Sequence, residues 1–368
     1  MKGTGALSVA VTLEQLWHRV PGGTATATLG MIHALATRDD VEVIGVSARH
    51  ARPPQEAFRT TVPIRQLPLP RVALYEAWHR VRWPSVERAA GPVDVVHATT
   101  LAIPPRTRPL IVTIHDLAFM DRPRDFTRRG MRLFTRGLEL ARTEASVVLC
   151  PSQASKDDCL THGFDPECVE VVPWGVSPIA PQSQTEIRAR FGLDRTFVLW
   201  TGTIEPRKNL PRLLDAFAKL DHDVDLVLAG PQGWKEQIGA RIASDDRVRT
   251  IGFVDPATLA GLYAAADAFC YPSLKEGFGL PVLEAMIQGA PVITSLGTST
   301  QEVAGDAALL IDPRDADGLA AAIARVLDDH DLARRLSDAG RKRAAAFTWD
   351  KTAELVASAY RRALEIGP

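Results

Sequence analysis

The stretch Ala268–Ser295, AFCYPSLKEGFGLPVLEAMIQGAPVITS, carries the decision about the fold. It opens on an apolar run of strand length, AFCYPS, and closes on a second one, PVITS. Between them, a loop holding Gly277 and Gly279 leads into a helical pattern from Pro281 to Gly289. Proline is at home in a first helical turn, where its missing N–H costs nothing, so Pro281 reads as the first helical residue and Leu280 as its cap. Strand, helix and strand in succession argue for a parallel, doubly wound sheet.

The same alternation runs outward in both directions. Toward the N-terminus the apolar runs begin at Leu7 (LSVAVT), Val41 (VEVIGVSA), Val93 (VDVVHA), Leu110 (LIVTIHD), Ser146 (SVVLCPS) and Val169 (VEVVPWG). A second set begins at Thr196 (TFVLWTG), Val224 (VDLVLAG), Val248 (VRTIGFV), Ala268, Pro291 and Ala308 (ALLIDP). These runs are continuously apolar and rich in Val and Ile, as parallel strands covered on both faces must be. Helical patterns separate them at Thr24–Thr37, Arg128–Arg142, Leu210–Leu220 and Pro256–Ala265. Two sets of strands imply an α/β chain of two Rossmann-like domains, which suits 368 residues. The proline-rich stretch Pro173–Ser183, PWGVSPIAPQS, reads as the linker. Trp349–Ile366 reads as one amphipathic helix with the stripe Ala353, Val356, Ala357, Tyr360 and Leu364.

Composition narrows the function. A net charge of −1 gives no global field for nucleic acid. The four cysteines, Cys150, Cys159, Cys168 and Cys270, form no CxxC pair and match no zinc spacing, so reduced, buried thiols of a cytoplasmic protein are expected. Cys150 and Cys270 sit inside apolar runs and read as strand core. No apolar run is long enough to span a membrane, and MKGTGALSVAV enters a strand pattern without a signal-like apolar core.

Open α/β sheets bind ligands beyond the carboxyl ends of their strands, so candidates are sought there. In PGGTATATLG, Gly22 and Gly23 precede a helix that Thr24 can cap, and free amides there suit an anion; a simple turn is the plainer alternative. VTIHDL places His115 and Asp116 at a strand end, where the histidine faces a ligand or is structural and the aspartate caps a turn. TGTIEPRKNL puts Arg207 and Lys208 just before a helix, as a phosphate clamp or a solvated basic turn. Gly252, Phe253 and Val254 end another strand and can flank a flat base. In the opening stretch Gly277 and Gly279 allow tight backbone paths, so the amides of Phe278, Gly279 and Leu280 can turn toward an anion or hydroxyls. Glu276 and Glu284 flank them, and a carboxylate forks well onto a vicinal diol. The Asp-x-Asp pairs at Asp221–Asp223 and Asp315–Asp317 lie away from strand ends and read as solvated, so no metal site is expected. Nucleophile elbow and P-loop patterns are both absent. Arg128, Arg132 and Arg136 recur every four residues, with Met131, Phe134 and Leu138 on another face. Upstream lie Tyr75, Trp78 and Trp83 among Arg71, Arg80 and Arg82. Such helices lie on anionic membranes, grip a charged acceptor, or are solvated faces over a core.

Taken together, these segments resemble the family 4 retaining glycosyltransferases of GT-B fold. The likeness runs from the Gly-Gly loop through VTIHDL, PSQASKDD, VVPWGV, TGTIEPRKNL and IGFVD to KEGFGLPVLEAMIQGAPVIT. The last is the most specific: a glutamate, seven residues and a second glutamate. The resemblance implies two Rossmann-like domains with parallel sheets facing a central cleft. It implies an acceptor-side domain over residues 1–176 plus a returning helix over 349–368, and a donor domain over 177–348. It implies that Glu276 holds donor-sugar hydroxyls, Glu284 the ribose, and the amides around Phe278–Leu280 the sugar and diphosphate. Arg207 and Lys208 would neutralise the diphosphate, Gly252–Val254 border the base, Gly22 and Gly23 approach the phosphate, and His115 sit beside the sugar. The implied activity is metal-independent hexose transfer with retention, from GDP-mannose in preference to a UDP-sugar, onto a glycan or lipid-linked acceptor. No cofactor is implied. A cytoplasmic location follows, with peripheral contact at the inner face of the plasma membrane through residues 128–142 left open. A sugar phosphorylase or epimerase shares the architecture, but no pyridoxal lysine motif is evident. A silent nucleotide-sugar-binding partner subunit is the remaining alternative. Two positions depart from the family pattern: Thr203 stands where many members carry Arg, and Trp174 where Asn is common.

Overall fold

Residues 5–18, 22–231 and 238–367 are described in a computed structural model; Met1–Thr4 of the N-terminal stretch, Pro21 of the Gly-Gly motif and Pro368 lie outside them. Packing divides the chain into two compact units. One runs to Gly175 and resumes at Thr348; the other is Val176–Phe347.

The first unit is built on seven parallel strands: β1 (Leu7–Thr12), β2 (Val41–Ser47), β3 (Ile64–Gln66), β4 (Val95–Ala98), β5 (Leu110–Thr113), β6 (Val147–Cys150) and β7 (Val169–Val171). Their order is β3-β2-β1-β4-β5-β6-β7. Every residue of β4, β5 and β6 is buried, which is why those segments tolerate no polar alternation. Each fully buried Val, Leu or Ile contributes roughly 1.5–3 kcal/mol. Strand β3 escapes sequence reading: it is three residues long, IRQ, and lies at the sheet edge with two of them exposed. Cys150 and Cys270 are fully buried strand residues, as their apolar neighbours suggest.

The C-terminal helix, Trp349–Ile366, belongs to this unit. Thr348 caps it by accepting the Lys351 amide at 3.2 Å. Its buried face is Ala353, Val356, Ala357, Tyr360 and Ala363, whereas Leu364 is 40% exposed. The expected stripe is therefore corrected at its end: Ala363 continues the face from Tyr360, and Leu364 falls on its solvent rim. Tyr360 reaches His97 Nδ1 at 2.9 Å, and His97 Nε2 reaches Thr113 at 2.8 Å, tying the helix to β4 and β5. Gly30 faces the Trp349 indole so closely that a Cβ there would collide with it.

The second unit carries six parallel strands: β8 (Thr196–Thr201), β9 (Val224–Ala229), β10 (Val248–Gly252), β11 (Ala268–Tyr271), β12 (Val292–Ser295) and β13 (Leu309–Ile311). Their order is β10-β9-β8-β11-β12-β13. β8 and β9 run in unbroken register from Thr196 opposite Val224 to Thr201 opposite Ala229. The helix after β8 spans Leu210–Phe217, shorter than its pattern suggests, and buries Leu210, Leu213, Leu214 and Phe217. The helix after β11 spans Leu280–Gln288.

In both sheets the strand order reverses beside the first strand, between β1 and β4 and between β8 and β11. Such a reversal opens a crevice at the strands' carboxyl ends. In the second unit the loops there are Gly202–Asn209 and Pro272–Gly279, the two segments that carry the paired cations and the glutamate–glycine run.

Candidate functional site

The turn after β8 is held by backbone chemistry specific to a few residues. Gly202 has φ +133°, and Pro206–Lys208 form one 3-10 turn. Asn209 follows at φ +58°. An asparagine tolerates that left-handed geometry better than most residues, and here its side chain has work to do. Its Nδ2 donates to the carbonyls of Pro272 at 2.9 Å and Pro313 at 2.6 Å. The Leu274 amide donates to the Arg207 carbonyl at 2.8 Å. The two crevice loops are thus stitched together through backbone groups.

That stitching brings Arg207, Lys208 and Glu276 into contact. Arg207 Nη1 lies 2.6 Å from Glu276 Oε2, and Lys208 Nζ lies 2.9 Å from Glu276 Oε1. Glu205 pairs with the other side of Arg207 at 2.8 Å. The sequence leads one to expect two bare cations; the fold supplies two carboxylates beside them. The physical reason is burial: Lys208 is 7% exposed, and an unpaired buried charge is far costlier than a paired one. Burial alone pushes the Glu276 carboxyl up, but Arg207 and Lys208 more than reverse this and hold it at about 2. Burial lowers the Lys208 ammonium, against the pull of Glu276.

The glycine run then turns into the helix. The N-cap is Gly279, at φ +116°, with Leu280 and Pro281 as the first two helical residues. This moves the expected cap back by one position, because only glycine enters that backbone region cheaply. A Cβ on Gly279 would also stand 2.9 Å from Thr300 Cγ2. The amides of Phe278, Gly279 and Leu280 donate to no acceptor among the described residues. Three unpaired N–H groups at a helix start form an anion-binding arrangement. Ser299 Oγ donates to the Glu276 carbonyl at 2.7 Å and fixes the loop from the other side. Glu284, one turn into the helix, accepts from Tyr263 at 3.1 Å through Oε2. Burial raises its carboxyl, and the Tyr263 hydrogen bond opposes that. At the end of β10, Gly252 has φ +72°, Phe253 is 66% exposed, and Val254 follows.

In the first unit His115 follows β5. Its Nε2 lies 2.9 Å from the Thr99 carbonyl, which can only accept, so that nitrogen carries the proton and Nδ1 keeps its lone pair. Burial lowers its pKa, which keeps the ring neutral. Trp174, one of the two departures from the family pattern, is buried with its ring 5.7 Å from the His115 ring. Asp116 is a turn cap, accepting the Ala118 amide at 2.9 Å. Gly22 and Gly23 do not precede the helix but open it: the helix spans Gly22–Ala36, with Gly22 at φ +63°. The arginine-rich helix spans Arg128–Glu144, longer than its pattern, and is capped by Thr127. Arg128 and Arg132 are exposed, while Arg136 pairs with Glu139 at 2.7 Å.

Sequence reasoning missed Glu205, Asn209, Thr201, Tyr263 and Tyr271. Glu205 and Asn209 lie within the quoted TGTIEPRKNL, and a buried carboxylate beside two cations is the partner that charge balance demands. The tyrosines carry no such signal, since an aromatic in an apolar segment reads as core.

Among the described residues, no group of three or more His, Cys, Asp or Glu side chains could hold a metal ion, and no helix is long and apolar enough to cross a membrane. Glycosyl transferases group 1 matches residues 183–343, and Glycosyltransferase Family 4 matches residues 21–178. The chain is 30% identical to the O-antigen chain mannosyltransferase B of Escherichia coli, over 73% of this chain and 74% of that protein. It is 33% identical to the MMP alpha-(1->4)-mannosyltransferase of Mycolicibacterium hassiacum, over 74% and 72%. In fold it is similar to sucrose-phosphate synthase from Thermosynechococcus elongatus, with TM-score 0.77 at 23% identity, covering 98% and 99% of the two chains. It is also similar to Anabaena HepE solved with UDP and glucose, with TM-score 0.74 at 21% identity, covering 96% and 98%.

Proposed function

This chain belongs to the group 1, family 4 glycosyltransferases, and from that premise we propose that it moves mannose from GDP-mannose to a glycan or lipid-linked acceptor, with retention at the anomeric carbon and without a metal. The hexosyl class rests on the family. The preference for mannose is supported by two mannosyltransferase relatives of about this length.

One observation carries the mechanistic reading: the ionic cluster of half-buried Arg207, buried Lys208 and Glu276 beside three unpaired amides at the helix start. A departing nucleoside diphosphate gains negative charge while the sugar becomes oxocarbenium-like. Arg207, Lys208 and the amides of Phe278, Gly279 and Leu280 are the groups to which we assign the growing phosphate charge. Glu276 holds both cations in place before the donor arrives, so little reorganisation is left for the reaction itself. Removing one such preorganised donor typically costs ~2.7–4 kcal/mol of barrier. With its carboxylate already engaged by two cations, Glu276 is a poor covalent nucleophile and a good hydroxyl acceptor. We therefore assign it to the donor-sugar hydroxyls, and Glu284 to the ribose. Gly252, Phe253 and Val254 are assigned to the base. On this reading the acceptor attacks from the face the phosphate leaves, and the phosphate takes the acceptor proton.

A screen of nucleotide sugars tests the proposal, reading thermal stabilisation and release of nucleoside diphosphate with EDTA present. GDP-mannose should stabilise the chain and release GDP. Stabilisation by UDP-sugars alone would transfer the assignment to that donor class, and a strict need for a divalent cation would overturn metal independence.

We also propose peripheral contact with anionic lipid. It is supported by exposed Arg128 and Arg132 on one helix and by Val72, Val81 and Trp83, which are 50%, 67% and 45% exposed.

A further inference from the structure

Two buried phenols stand behind the two glutamates, and their surroundings repeat. Tyr263 lies on the helix Pro256–Ala265 and is 2% exposed; Tyr271 ends β11 and is fully buried. The Tyr263 hydroxyl lies 2.9 Å from Thr201 Oγ1 and 3.1 Å from Glu284 Oε2. A carboxylate can only accept, so the phenol gives its proton to Glu284 and takes the one on Thr201. The Tyr271 hydroxyl gives its proton to Glu276 Oε1 at 3.0 Å and accepts from Lys208 Nζ. Each phenol thus receives a proton from the β8 side of the crevice and donates its own to one glutamate on the β11 side. Phe269 fixes both rings, with centroids 5.2 Å from Tyr263 and 5.7 Å from Tyr271.

We infer that Tyr263 and Tyr271 are positioning residues, each locking one glutamate of the donor site in the orientation that ligand hydroxyls require. This rests on the reading of Glu284 as the ribose group and Glu276 as the sugar group. Tyr263 occupies Oε2 of Glu284 and so directs Oε1, which has no partner among the described residues, toward the ligand. Tyr271 does more: it holds Glu276 and Lys208 together, so its loss loosens the cation that faces the leaving phosphate. Burial pushes both phenols up, as do the neighbouring carboxylates, which keeps each a proton donor. A tyrosine that merely filled the core would do its work through its ring, and phenylalanine would replace it.

The experiment compares Tyr263→Phe, Tyr271→Phe, Glu284→Ala and the double variant Tyr263→Phe/Glu284→Ala in the full chain. Calorimetry gives the Kd for GDP and for UDP, and steady-state kinetics with the donor identified by the screen give kcat and KM. Tyr263→Phe should weaken nucleoside diphosphate binding roughly tenfold, the scale of one lost hydrogen bond to a charged group. It should raise KM more than it lowers kcat. Tyr271→Phe should lower kcat more than it raises KM. In the double variant, the loss should not exceed that of Glu284→Ala alone, because Tyr263 acts through Glu284. If Glu284→Ala weakens binding while Tyr263→Phe binds as the native chain does, the positioning role is overturned and the ribose assignment stands. Unchanged binding in Glu284→Ala overturns both.

Discussion

The two units share a sheet plan and differ in what they place beyond the first strand. In the first unit the turn after β1 leads to Gln15, whose Nε2 donates to Thr28 and Thr99, each at 2.7 Å. Nearby, His115 is bonded to a backbone carbonyl and kept neutral. In the second unit the corresponding turn carries half-buried Arg207 and buried Lys208, locked in an ionic cluster with Glu276. Strand-end geometry is common to both, so topology alone assigns no chemistry. The paired cations suited to a diphosphate sit in the second unit, whereas the turn after β1 in the first carries the buried carboxylate of Glu14, which accepts the Ala48 amide at 2.9 Å, beside Gln15.

The contrast can be broken by mutation. Lys208→Ala should produce the largest loss, about a hundredfold or more in kcat, read by GDP release at saturating donor; near-native turnover would remove the clamp. His115→Ala should cost less, on the order of tenfold, since a neutral imidazole can offer only a hydrogen bond. A loss in His115→Ala equal to that in Lys208→Ala would erase the difference between the units. Smallest for soluble donor turnover, and confined to the first unit, is the lipid effect. Replacing Arg128, Arg132 and Arg136 by Gln should abolish binding to anionic liposomes at low salt, by flotation assay; equal flotation would leave a solvated face.

Much of this was legible in the sequence because parallel strands buried on both faces cannot hide. All six strands of the second unit fall within the runs read from the sequence, although β10, an edge strand reading VRTIG with Thr250 exposed, is not continuously apolar; β3 escapes because an edge strand of three residues, two exposed, buries too little to leave a pattern. Glu276, Lys208 and the glycine loop were legible because strand ends narrow the search. What the sequence hid was pairing. Nothing in a string of letters shows that Glu276 spends its carboxylate on Arg207 and Lys208, or that Glu205 balances the cluster. Glycine geometry also shifted two boundaries, at Gly22 and Gly279, each by letting the helix begin earlier than its apolar pattern.

The central claim is that the diphosphate is gripped where the glycine run enters the helix. Amide hydrogen exchange with and without GDP tests it directly. Slowed exchange is expected at Phe278, Gly279 and Leu280, whose amides otherwise lack acceptors among the described residues. Unchanged exchange across Leu274–Val282 in the presence of bound GDP would contradict it.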